Sequence, residues 1–132
     1  MACYERTTRA IKVSVEPQYL EDRSRPEDNY FVWAYTITIE NGGAEAVTLK
    51  MRYWKIVDAL GRVQEVRGAG VVGETPTLPP GGSFRYTSGA PLSTPSGFMS
   101  GAYQMETETG EPFDVDIPAF ALDRPDQLHR IH

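Results

Sequence analysis

Tyr30-Phe31-Val32-Trp33-Ala34-Tyr35-Thr36-Ile37-Thr38-Ile39-Glu40 is the stretch whose reading decides the fold. Successive side chains of a strand point to opposite faces. Here Phe31, Trp33, Tyr35, Ile37 and Ile39 share one face, and Val32, Ala34, Thr36 and Thr38 share the other. Aromatic and β-branched residues suit a pleated, half-buried surface. Asn41-Gly42-Gly43 follows and turns the chain, because these residues tolerate positive φ. The run therefore reads as a core strand with one apolar face, bounded by a turn.

The same pattern repeats on either side. Ile11 to Val15 alternates apolar and polar, and Glu21 to Asn29 is a charged loop. Val47 to Val57 reads as a strand with a phase change: Val47, Leu49, Met51 and Tyr53 share one parity, but Trp54 and Ile56 share the other. A β-bulge near Tyr53-Trp54 would account for the switch. Asp58 to Gly61 is a turn, and Arg62 to Arg67 a shorter polar strand. Gly68 to Gly82 loses periodicity, Ser83 to Ser88 regains it, and Gly89 to Gly97 reads as another loop. Phe98 to Thr107 and Glu111 to Ile117 form a hairpin around Thr109-Gly110. About seven strands, with turn signals every ten residues or so, predict an all-β sandwich.

Composition narrows the function classes. One domain fits 132 residues, with a core over about 10–123 and flexible termini. A formal charge of −5 speaks against nucleic-acid binding through a broad basic face. No apolar run reaches the length of a membrane span, and the N-terminus lacks a signal-peptide core. Cys3 is the only cysteine, so no intramolecular disulfide forms, and a cytoplasmic location is expected.

Few residues point to chemistry. Gly68-Ala69-Gly70-Val71-Val72-Gly73 is a GxGxxG, but Glu74-Thr75-Pro76 after it starts no long helix. A glycine-rich loop can still hold a phosphate through converging N–H groups, with Arg67 or Arg85 as the counter-charge. Against this stands a plain crossover in which glycines permit unusual dihedrals. Asp114 and Asp116 share a strand face, and Glu106, Glu108 and Glu111 lie nearby, but exposed carboxylates on a sheet usually serve solvation. His129 and His132 stand in a tail expected to fray, so neither a zinc site nor a Ser-His-Asp arrangement is expected, and no cofactor is implied. Tyr53 and Trp54 are adjacent, so one of them is available for a contact surface, as is Leu92 in its proline-flanked loop.

The chain also resembles the ApaG family, also called CorD. The resemblance rests on Gly68 to Pro76, Leu78-Pro79-Pro80-Gly81, Phe84 to Gly89, Thr94 to Met99 and Gly101 to Met105. Phe31 to Ile37, Arg52 to Ile56 and Asp116 to Phe120 look like the family's central strands and closing segment. It implies an immunoglobulin- or fibronectin-III-like sandwich, and an association with cobalt and magnesium handling without a settled reaction. Two functional expectations follow: a non-enzymatic module that binds a protein partner, or a sensor that binds a nucleotide or pyrophosphate through the glycine loop. Self-association through a sheet edge is a further possibility.

Overall fold

The computed structural model describes residues 3–124 and folds them into two antiparallel sheets. In chain order the strands are β1 (Tyr4–Thr8), β2 (Ile11–Tyr19), β3 (Phe31–Asn41), β4 (Val47–Asp58) and β5 (Val63–Ala69). They continue with β6 (Thr77–Leu78), β7 (Ser83–Leu92), β8 (Ser96–Thr107) and β9 (Pro112–Asp123). One sheet has the order β1-β2-β3-β7, and the other β5-β4-β8-β9 with β6 paired to β4. The charged loop after β2 contains two short 3₁₀ turns.

The face expected to be dry is the dry face. Phe31, Trp33, Tyr35, Ile37 and Ile39 are all buried, and they meet Leu49, Trp54, Tyr103, Met105, Val115 and Phe120 of the other sheet. Phe120 is the hub of the aromatic packing, with ring centroids 5.9 Å from Tyr35, 5.9 Å from Trp54 and 6.2 Å from Tyr4. The Trp33 indole N–H donates to the Asp123 carbonyl at 2.9 Å, satisfying a polar group inside the core.

The two sides of the sandwich differ. On one side β9 lies against β1 and β2. There Arg6 pairs with Asp116 at 3.1 Å and the Asp116 N–H reaches the Thr8 hydroxyl. On the other side run the unpaired edges of β5 and β7, and the sheets part.

Three details depart from the sequence reading. The sandwich begins at Tyr4, ahead of residue 10, because β1 is a polar strand whose period is hidden among Glu5, Arg6 and Thr7. Strand β7 continues through Gly89-Ala90-Pro91 to Leu92, so the expected loop shrinks to three residues. β7 is an edge strand, and there proline's missing donor leaves the ladder intact. The bulge in β4 lies between Leu49 and Met51, not at Tyr53-Trp54. The expected fraying tail, with His129 and His132, lies outside the described residues.

Candidate functional site

The bulge at Lys50 decides which side chains of β4 face solvent. A one-residue slip exchanges the faces of a strand. Val47 and Leu49 point inward before it, and Trp54 and Ile56 after it, so Arg52 takes an inward position. Met51 and Tyr53, apolar enough to read as core, stand on the outer face, Met51 at 44% exposure.

Arg52 organises the glycine loop. Its guanidinium lies flat on Gly68, where a Cβ would come within 2.9 Å of three guanidinium atoms. Its Nη1 donates to the carbonyls of Ala69 and Gly70 at 3.0 and 2.9 Å. The Gly70 N–H donates to the Lys50 carbonyl, and Val71 and Glu74 exchange backbone hydrogen bonds to close a tight turn. Val71 is buried and pins the loop to the core, while Gly70, Val72 and Gly73 adopt positive φ.

The loop thus offers carbonyls to a cation, whereas a phosphate nest needs free N–H groups. The structure does not bring Arg67 or Arg85 into the loop beside Gly68, Gly70 and Gly73. Arg67 lies over the Tyr53 ring, 4.6 Å from its centroid, on the outer face of the five-stranded sheet. Arg85 stands on the outer face of the four-stranded sheet with Ser14, Thr36 and Thr38.

Of the three contact residues expected from sequence, only Tyr53 is at the surface. Its hydroxyl donates to Glu65 at 2.6 Å, and that bond raises its pKa above the ordinary phenol value. Trp54 is 3% exposed, because the bulge upstream turns it inward against Tyr35 and Phe120. Leu92 is 9% exposed, because it ends a strand rather than a loop and packs beneath Gly97.

Sequence reasoning missed the surface these shifts create. Strand registers place Val63, Val57, Phe98 and Ala121 in one row across all four main strands of the five-stranded sheet. Phe98 is 61% and Val63 56% exposed. Farther along the same face Met51, Tyr53, Arg67, Ala102, Gln104 and Asp114 line a shallow groove of about 260 Å³. The signal was present in the apolar Phe98 at an outward parity of β8, which pattern reading absorbs into the strand.

Among the described residues no group of three or more His, Cys, Asp or Glu is placed to hold a metal ion. Asp116 is engaged by Arg6, and Glu111 by Arg9 at 3.3 Å. No helix among them is long and apolar enough to cross a membrane.

A cluster of phenols lies between the sheets. The Tyr86 and Tyr103 hydroxyls are hydrogen-bonded to each other between the sheets, with Tyr35 nearby. Burial raises the pKa of all three phenols above the ordinary value of 10.0. The folded state therefore keeps protons that the unfolded chain releases above about pH 10. Their stabilisation is complete below that pH and is lost as pH rises toward the raised values. Urea midpoints should stay level to about pH 9 and fall steeply above about pH 10. Phenolate absorbance that followed a simple exposed-tyrosine curve, with unchanged midpoints, would contradict this.

Comparison with known proteins agrees with the architecture. Residues 21–107 match the family model described as the ApaG domain. The chain is 60% identical over 129 residues to "Protein ApaG" of Parvibaculum lavamentivorans, covering 98% of this chain and 99% of that one. It is 61% identical over 129 residues to "Protein ApaG" of Brucella anthropi, with the same coverage. A crystal structure of a Bordetella pertussis protein given the name ApaA superposes with a TM-score of 0.85 at 48% identity, over 87% of this chain and 94% of that one. The resemblance read from the glycine loop and its flanking strands is borne out along nearly the whole length, and the chain belongs to the ApaG domain family.

Proposed function

We propose that this chain is a non-enzymatic binding module whose partner is a protein, docked on the outer face of the five-stranded sheet. One observation carries the reading: in the row Val63, Val57, Phe98 and Ala121, Phe98 and Val63 stand in solvent beside half-buried Val57 and Ala121, and among the described residues no element covers them. Scattered surface hydrophobes are ordinary, but a contiguous row on a rigid sheet supports an interaction site. Phe98 supplies the aromatic anchor that such interfaces favour, and the Tyr53–Arg67 stack supplies a second. The charged groups along the face, Lys55, Glu65 and Asp114, form a polar surround.

In this reading the family's association with divalent cations acts through the partner, and the module works in the cytoplasm. The test compares affinity capture by the native chain, by Phe98→Asp and by Thr36→Lys, which alters the opposite sheet's outer face. A partner retained by the native and Thr36→Lys proteins should lose about tenfold or more in affinity with Phe98→Asp, the loss expected of an interface anchor. Equal retention by all three would overturn the reading. A concentration-dependent dimer that Phe98→Asp abolishes would reassign the face to self-association.

A further inference from the structure

The opposite side of the molecule carries a different feature. Between the free edges of β5 and β7 the sheets enclose a cleft of about 270 Å³. Trp54, Ile56, Val66 and Met99 form its apolar wall, and Tyr35 and Ser88 place hydroxyls on the facing side. Arg52 stands within it.

The bonding of Arg52 is unequal. A guanidinium carries five N–H donors. Nη1 uses its two on the loop carbonyls. Among the described residues Nε and Nη2 have no hydrogen-bond partner, and no carboxylate lies within ion-pair distance of the group. Arg52 is half-buried, so these remaining donors stay open to a ligand entering the cleft. Here the remaining donors form the fork that matches a carboxylate with two oxygens. The loop fixes the fork's position, because Gly68 supports the guanidinium plane and two carbonyls hold one end.

We infer that the cleft binds a small aromatic carboxylate, its acid on Arg52 and its ring on the partly exposed wall of Ile56 and Val66 beside Trp54. The size admits one ring or two fused rings and lies at the lower end of small-molecule sites. A nucleoside triphosphate outgrows it, and a polyphosphate would leave the apolar wall unused. The acid is either a free metabolite or the last residue of a peptide, since both present the same group.

The native chain tests this without mutation. Phenylacetate, its neutral analogue phenylacetamide, and N-acetylphenylalanine are titrated while the indole N–H of Trp54 and the Nε–H of Arg52 are followed by NMR. Phenylacetate should shift both resonances saturably, with phenylacetamide about tenfold or more weaker, the factor expected for a lost charge-assisted hydrogen bond. N-acetylphenylalanine binding more tightly than phenylacetate would assign the site to a chain terminus, and weaker binding to a free acid.

No saturable shift at about 10 mM, well beyond a millimolar Kd, would overturn the inference. Equal binding of acid and amide would overturn the role given to Arg52. Arg52→Lys, which keeps the charge but not the fork, should weaken phenylacetate while leaving the methyl spectrum of the core folded. Arg52→Gln should reduce the preference for acid over amide to near unity.

Discussion

Phe120→Ala is expected to lower the unfolding free energy by about 3–5 kcal/mol, the range for removing a buried aromatic ring. The side chain is 1% exposed and touches rings from both sheets: Tyr35 on β3, Trp54 on β4 and Tyr4 on β1. Those neighbours sit on strands held by their own ladders, so the cavity has little means of collapsing. Domains of this size have about 5–15 kcal/mol in total, so the loss takes a large share. Urea denaturation with an unchanged m-value gives the number. A loss below about 1 kcal/mol, the centre of the range for ordinary substitutions, would mean that the aromatic hub repacks freely.

Gly101→Ala is expected to be as severe by the opposite route. Gly101 pairs with Trp54 across the β4–β8 ladder, beside a second register shift between Met99 and Gly101. An added Cβ falls far inside contact distance of the Tyr53 carbonyl oxygen and 3.2 Å from the Trp54 ring. The obstacle is backbone in the middle of a sheet, which cannot swing aside as a side chain can. The cost should reach or exceed about 3 kcal/mol, the upper end for overpacked cores. Gly61→Ala provides the comparison: its φ is +81° but nothing lies within 4 Å of the new Cβ, so only the dihedral cost of about 1–2 kcal/mol applies. Equal losses at the two positions would show that close approach is not what selects glycine at 101.

How far the sequence discloses this molecule depends on the residue. β3 is legible to the last side chain, because period, residue type and the Asn41-Gly42-Gly43 turn agree. β4 is legible as a strand with a slip, but the slip's position is not. Met51 and Tyr53 are as apolar as core residues, so the pattern continues past the bulge and places it three residues late. That error conceals both candidate sites at once, because it sends Met51 inward and Arg52 outward and leaves open which of Tyr53 and Trp54 reaches the surface. Leu92 is misplaced for another reason. Gly89-Ala90-Pro91 carries turn chemistry, and only the edge position of β7, a property of the whole topology, lets those residues remain a strand. The glycine loop is recognisable as a motif, yet the sequence does not say that its carbonyls serve Arg52.

The seam between β1 and β9 joins residues far apart in the order of synthesis. Thr8 bonds to Asp116, 108 residues later. At about 5–20 residues per second, a ribosome that has made β1 needs about 5–20 s more to deliver its counterpart. In that interval β2 and β3 can pair, but the apolar face of Val13, Val15, Trp33, Ile37 and Ile39 waits for the second sheet to be completed. During that interval the nascent chain presents an apolar face of the kind that is prone to aggregation, and a stall before β9 leaves that face uncovered.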